Sequence, residues 1–394
     1  EIGRPQSMAT SRVSQEDLMA SELEALRRRV AQLEEENATL KSRGAVDVSA
    51  SIDALQRVFQ QRLESSSAFL TPLVLPDVKK RQFFAVACLF FAYPLSLAAS
   101  GYAVYAVLAA RSRAGAAAMI LYATWVARDD APRRCGRRIR ALQLSRFSSW
   151  LGGYFPIKIR KASADADFDD RSVYLFGYHP HGIISVGCFT QFAFDGSGAS
   201  KLFPKLRFHC ATLGFNFRIP FFRELLLGLG IIEVSAKSIK NALSSGPGAA
   251  VVIVPGGAAE SLDASPGGEH VLTLRKRNGF FRIALQHGAK LVPVFSFGEN
   301  DLYGVVSPTG PVRRLQAAAL RLFGYAVPVY LGAGSNSATF GSPMPMRRPI
   351  ITVVGDPIAC PRIPEPTQEQ IDDLKVQYIE RLRLVFDKFA QDQQ

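Results

Sequence analysis

Hydrophobic positions along the chain fall into three zones of different period. Over 14–43, Leu23, Leu26, Val30, Leu33, Asn37 and Leu40 recur at alternating spacings of three and four, among Glu24, Arg27, Arg28, Arg29, Glu34, Glu35 and Glu36. Apolar a and d positions, charged flanks and one Asn at an a position predict a short parallel coiled coil in an N-terminal tail, 1–45. A homo-oligomer through 14–43 is one reading; a lone amphipathic helix is the other, because so few heptads are marginal for pairing. A linker with an amphipathic helix is expected over 46–82. The second zone, 83–110, reads FFAVACLFFAYPLSLAASGYAVYAVLAA without a charge, and after Arg111 and Arg113 a further apolar stretch covers 114–127. A spanning helix needs about 20 apolar residues, so the first run is long enough and the second alone is not. Pro94 and Gly101 allow the first run to break and return, or to tilt. A transmembrane or re-entrant hairpin is therefore expected over 83–127.

The third zone changes period again. SVYLFGY (172–178), AAVVIVP (249–255), KLVPVFSF (290–297) and PIITVVG (349–355) are short β-branched or aromatic runs that predict strands. Helical spacing marks 183–194, 220–229, 237–244, 278–288, 311–323 and 367–391. This alternation predicts an α/β domain over 128–394, with a mainly parallel sheet covered by helices. Ligands of such sheets bind beyond the carboxyl ends of the strands.

Charge sharpens the picture. Lys and Arg total 47 against 34 Asp and Glu, a formal net charge of +13. That balance favours anionic partners: phosphorylated ligands, acidic headgroups or nucleic acid. Lys79, Lys80 and Arg81 precede the apolar block, and Arg128, Arg133, Arg134, Arg137, Arg138 and Arg140 follow it. Cations on both sides put both flanks of the hairpin in the cytosol. Membrane lipids are then the simpler anionic partner, and no nucleic acid is expected. The cysteines are odd in number, scattered and without a C-x-x-C pair, which indicates a reducing compartment and neither a disulfide framework nor a zinc site. The polar N-terminus opens on Glu1, not Met, as a fragment would, with Met8 as a possible start and no signal-peptide pattern.

Chemistry concentrates at YLFGYHPHGIISVG, 174–187, where His179 and His181 flank Pro180 and Gly182 follows. Two imidazoles could ligate a metal, but His209, His270 and His287 offer no third ligand at a helpful spacing, so no metal is expected. Both rings could instead bond backbone groups at a strand end. One could be a general base, since a neutral imidazole suits cytosolic pH.

GYHPHG resembles the signature of the diacylglycerol acyltransferase type 2 family, which includes monoacylglycerol and wax-alcohol acyltransferases. Tyr154, Phe155 and Pro156 match its Y-F-P motif, and Gly256-Gly257-Ala258-Ala259-Glu260-Ser261 its G-G-A-x-E block. RNGFFRIALQHGAKLVPVFSFGENDLY (277–303) follows its R-x-G-F, LVP and FGE elements, and VVGDPI (353–358) its closing strand. The resemblance covers roughly 80–390. It implies transfer of a fatty acyl group from acyl-CoA, a co-substrate, to diacylglycerol at the endoplasmic reticulum membrane or lipid droplet, with no resident cofactor. Monoacylglycerol or a wax alcohol is the alternative acceptor, and a non-catalytic lipid-binding scaffold is the alternative class. His179, His181 and Glu260 are then the catalytic candidates. Tyr154, Phe155, Pro156, Pro180, Gly182, Gly256, Gly257, Arg277, Gly279, Phe280 and Glu299 are the substrate-binding candidates.

Ester formation from a thioester and an alcohol needs a base for the hydroxyl proton and donors for the oxyanion. Gly182 is expected to open a helix whose N–H groups serve that end. No G-x-S-x-G elbow is present, which speaks against a serine nucleophile. Alignment with related H-x-x-x-x-D acyltransferases makes His179 the base. Position 184 is Ile and position 186 is Val, so Glu260 is the candidate to orient the ring. Phosphate-using relatives carry an arginine in F-P-E-G-T-R; here 254–259 has no cation, which suits a neutral acceptor. Arg275, Lys276, Arg277 and Arg282 could face the phosphates of coenzyme A. In the closing helix Lys375 stands where many members have His.

Overall fold

A computed structural model describes residues 77–262, 264, 272–274, 277–306, 310–323, 329–333 and 344–390. The coiled coil read over 14–43 and the linker up to 76 lie outside the described residues. Helix α1, Asp77–Ala109, runs through Pro94 and Gly101 without a break, so of the two courses open to the first apolar run the break and return does not occur. A mid-helix proline removes one donor and need not end a helix whose other bonds hold. A turn at Arg111 leads instead into α2, Arg113–Arg128, capped by Ser112, whose hydroxyl accepts the Gly115 N–H.

Val78–Ala109 is long and apolar enough to cross a bilayer. Its two halves differ. Ala85 and Val86 are fully buried, in one cluster with Leu151 of α3, Arg146–Tyr154. Phe90 meets the Tyr303 ring at 6.5 Å and Tyr93 meets Phe222 edge-on at 5.3 Å. Beyond Tyr93 the large side chains Leu95, Leu97, Tyr102, Val104, Tyr105 and Leu108 are exposed, as are Ile120, Leu121 and Trp125 of α2.

The sheet begins at β1, Lys158–Lys161, and β2, Tyr174–His179. After β3, Arg207–Thr212, come α4, Phe222–Gly228, the short β4, Ile232–Glu233, and α5, Ala236–Leu243. Strand β5, Ala249–Ile253, precedes one turn of helix, α6, Ala258–Ser261. Helix α7, Asn278–His287, leads into β6, Lys290–Phe297. Beyond the small antiparallel pair β7, Gly304–Val306, and β8, Val329–Leu331, with α8, Gly310–Phe323, between them, β9, Ile351–Val354, and α9, Gln368–Ala390, complete the described chain.

Seven strands pair in the order β1-β9-β6-β2-β5-β3-β4. All pairs are parallel except β6 with β9. The expected class, a mainly parallel sheet covered by helices, is what forms. Strands β1, β3, β4, β7 and β8 are additional to the four read from sequence. RFHCAT in β3 mixes charged, apolar and polar residues, so it lacks the continuous apolar run of a strand buried on both faces.

Strand β2 is buried at every position, and its side chains alternate between two cores. Tyr174, Phe176 and Tyr178 join the core that includes α1 and α3. Leu175 joins the opposite core with Phe280 and Phe281 of α7 and Tyr378 of α9. His179, two residues beyond Gly177, therefore points to the α7–α9 face. Because β2, β5 and β6 are parallel, His179, Ile253 and Phe297 end on one edge of the sheet.

The junction after α2 is held by charge. Arg223 is fully buried and pairs with Asp129 and Glu224, while its Nε–H donates to the Phe217 carbonyl at 3.0 Å. Arg137 adds a 2.8 Å bond to Asp129, and both guanidinium groups lie over the Trp125 ring at 4.8 and 5.2 Å. Removing Asp129 would leave the buried Arg223 with only the exposed Glu224 as counter-charge among the described residues. Asp129→Ala should therefore cost about 3 kcal/mol, read as a lower unfolding midpoint of the full chain in detergent.

Candidate active site

The carboxyl ends of β2, β5 and β6 deliver HPHG, PGGAAE and GEN to the same edge of the sheet. His179 closes β2 with no exposed surface. Its Nε2 lies 3.0 Å from the Tyr378 hydroxyl, and its Nδ1 is buried without a partner. Burial disfavours the imidazolium and brings its pKa down to about 3. His181 is half-buried, and its Nδ1 lies 3.0 Å from the Gly182 carbonyl. A carbonyl only accepts, so Nδ1 carries the proton and Nε2 the lone pair. Burial lowers this imidazole too, with the Arg277 charge adding and the Gly182 bond opposing.

Gly182 does not open a helix. It adopts φ +57 in a turn, and helical backbone begins only at Val186, after Ser185 at φ +55. A Cβ on Gly182 would stand 3.0 Å from both the Cγ and the carbonyl oxygen of Glu299. The positive φ and this tight approach together favour glycine at the turn.

Two buried carboxylates hold the HPHG turn, one from each neighbouring strand. Glu260 accepts the His181 backbone N–H at 3.1 Å and the Thr273 N–H at 2.6 Å. The expected bond from Glu260 to an imidazole is absent from these contacts, because its oxygens are taken by backbone donors. Burial nevertheless raises its pKa against those bonds and the nearby Arg277. A Cβ on Gly256 would overlap this carboxyl group, which accounts for a glycine there. Glu299 accepts the Tyr178 hydroxyl at 2.7 Å and the Gly187 N–H at 3.0 Å. Burial outweighs both bonds and pushes its pKa up to about 7.

Arg277 donates from Nη2 to the Gly256 carbonyl at 2.8 Å, and its Nε is buried without a partner. The 254–259 loop is cation-free in sequence but not in space. Gly257 takes φ +59 beside the same guanidinium group. Pro180 is buried between the imidazoles and follows a cis peptide bond. Phe280 packs edge-on against Tyr378 at 5.5 Å, and Gly279 is exposed. Tyr154, Phe155 and Pro156 are engaged elsewhere. The Tyr154 hydroxyl donates to the Pro345 carbonyl at 2.9 Å, and the Phe155 carbonyl accepts the Ile350 N–H at 3.1 Å, joining α3 to the entry of β9.

Tyr378 was not legible as a site residue. It falls in the stripe Ile371, Leu374, Tyr378, Leu382, Val385 and Phe389 of α9, whose spacing is that of an ordinary buried helix face. Tyr178 was equally hidden inside a strand.

Imidazoles at the carboxyl edge of an α/β sheet, with an apolar helix seated on one face, fit the acyltransferase class of enzyme. The chain belongs to the diacylglycerol acyltransferase family, whose model matches residues 114–394. It is 42% identical over 272 residues to diacylglycerol O-acyltransferase 2 of Dictyostelium discoideum, covering 68% of this chain and 81% of that protein. It is 41% identical over 273 residues to diacylglycerol O-acyltransferase 2 of Homo sapiens, covering 68% and 69% respectively. Among solved structures, the 1-acyl-sn-glycerophosphate (LPA) acyltransferase PlsC from Thermotoga maritima aligns with 77% of this chain and 96% of its own, at TM-score 0.35 and 13% identity.

The Glu299 carboxyl binds its proton more tightly folded than unfolded. Its favourable contribution is complete below the unfolded value near 4.3 and is lost as pH rises through about 7. The unfolding midpoint of the native chain relative to Glu299→Gln should therefore fall between pH 5 and pH 8. An unchanged difference would mean that Glu299 is ionised throughout.

Proposed function

We propose that the chain transfers a fatty acyl group from acyl-CoA to the free hydroxyl of diacylglycerol, giving triacylglycerol and free coenzyme A. The observation that carries this reading is the His179 ring, sealed from water, neutral, with one nitrogen uncommitted where the family motifs converge. Nδ1 takes the hydroxyl proton while the alcohol oxygen attacks the thioester carbonyl. The tetrahedral oxyanion then collapses, the carbon–sulfur bond breaks, and the departing sulfur takes the proton back from the imidazolium. No acyl-enzyme forms. Shielding from water disfavours hydrolysis of the thioester.

Arg277 supplies positive charge at the Gly256 loop, and with the exposed Arg282 it faces the phosphates of coenzyme A. His181 and Glu260 fix the turn that presents His179, through the backbone bond between them. In this reading 83–127 enters the endoplasmic reticulum membrane as a hairpin with both flanks cytosolic, and the protein can pass to lipid droplets. The exposed apolar side chains beyond Tyr93, and the cations on either side, support that insertion. The tail at 1–45 associates copies through its heptads, and 128–394 is the catalytic domain. Nδ1 has no exposed surface, so diacylglycerol meets it only once the chain over the strand ends gives way; α1 covers the opposite face of β2. Glu260 beside Arg277 leaves the loop little net charge, which suits a neutral acceptor better than a phosphate. A non-catalytic scaffold would have no use for a buried, uncommitted imidazole nitrogen.

Membranes carrying the full chain, given labelled acyl-CoA and a panel of alcohols, should form ester from diacylglycerol and little from glycerol 3-phosphate or lysophosphatidate. Preference for either phosphate would overturn the acceptor assignment. His179→Ala should lower turnover roughly 100- to 10,000-fold at equal protein level. Held neutral down to about pH 3, His179 should contribute no fall in turnover between pH 8 and pH 5.5; an acid limb near 6.5 would assign the base to another group.

A further inference from the structure

Tyr378, on the last described helix, touches two groups of the central strand at once. Its hydroxyl lies 3.0 Å from Nε2 of His179 and 3.1 Å from the carbonyl oxygen of Gly177. Phe280 and Phe281 meet its ring edge-on, each at 5.5 Å, and it has no exposed surface. A Cβ on Gly177 would overlap the hydroxyl and stand 3.1 Å from the Phe280 ring. The strand thus lacks a side chain at the one position where this phenol must pass to reach the imidazole.

The proton positions follow from counting donors. A phenol has one proton, and a carbonyl oxygen can only accept. Donation from Tyr378 to Gly177 leaves the phenol oxygen free to accept from Nε2–H, so both bonds are made and Nδ1 holds only a lone pair. The reverse arrangement would leave the Gly177 carbonyl without this bond and put an N–H on Nδ1, which has no partner. A buried donor without an acceptor is the costlier state.

We propose that Tyr378 is a positioning residue that fixes the tautomer of His179, holding the proton on Nε2 so that Nδ1 is the atom that accepts the alcohol proton. This rests on the reading of His179 as the base. It deepens that reading, because the residue that orients the ring is a neutral phenol from α9 and not a carboxylate from the neighbouring loops. A carboxylate would orient the ring and also favour its imidazolium form. A phenol orients it without adding charge, which suits an imidazole that must be neutral before each turnover.

The test uses the full chain in membranes, with acyl-CoA and diacylglycerol, and three variants: His179→Ala, Tyr378→Phe and the two combined. Tyr378→Phe keeps the ring within its aromatic cage. It should lower kcat about 10- to 100-fold, less than the wrong-tautomer penalty seen with a carboxylate partner, at unchanged KM for both substrates. If Tyr378 acts only through His179, the double variant should be no slower than His179→Ala alone. Gly177→Ala, which displaces the hydroxyl without removing it, should reproduce the kcat loss. Full activity in Tyr378→Phe beside an inactive His179→Ala would overturn the positioning role and leave the base intact. Full activity in His179→Ala would remove the base reading and this inference with it. A raised KM, or a further loss when the two substitutions are combined, would make Tyr378 a packing residue and overturn the proposal.

Discussion

Tyr178 and His179 are neighbours in one strand, and the pleat sends them to opposite faces, each to a polar partner there. Tyr178 donates to Glu299 on the side shared with α1, and His179 meets Tyr378 on the side of α9. Both polar side chains sit in a strand with no solvent on either face, where an unbonded polar atom is costly. Their partners therefore fix where the FGE turn and the closing helix must lie. A one-residue slip of β2 would exchange the two faces and break both the Tyr178–Glu299 and the His179–Tyr378 contacts.

The same economy governs the two carboxylates of the edge. Neither Glu260 nor Glu299 has an ion pair as its principal contact among the described residues; each is met chiefly by backbone N–H groups. Such donors belong to the folded chain and cannot rotate away, so they hold the HPHG turn in a fixed attitude. The glycines nearby follow from that closeness. Gly187 and Gly256 each face a glutamate carboxyl group that a Cβ would overlap, and Gly182 leaves only a tight 3.0 Å gap to Glu299 at a positive φ. The G-rich look of the motifs thus records how tightly carboxylate and backbone are packed together here, not flexibility.

Much of the fold could be read in the sequence because its signals are strong. The buried strands β2, β5 and β6 are continuous apolar runs, and α7 and α9 carry clear helical stripes. Elements that were missed break those rules: β3 is interrupted by charge and by His209, and β4 is two residues long. At the site, the residues with unusual chemistry in a dense motif were visible, and HPHG, Glu260, Arg277 and Glu299 do come to one edge. Their connections were not visible. Glu260 reaches backbone where an imidazole was expected, Gly182 makes a turn where a helix was expected, and Arg277 returns a cation to a loop that lacks one in sequence. Tyr378 escaped because nothing local separates a tyrosine that bonds an imidazole from one that fills a core.

The separation between His179 and Tyr378, 199 residues along the chain, also bears on how the protein is made. Synthesis runs from the N-terminus, and a domain folds as a unit once its parts are present. The sheet cannot be laid down strand by strand in chain order, since β1 pairs with β9 and β2 lies between β5 and β6. Until α9 arrives, the ring at the end of β2 has no phenol to bond. A chain that ends before α9 therefore lacks both the phenol and the apolar face that closes the core on the His179 side of the sheet. Competence is gained late, when the chain is nearly finished.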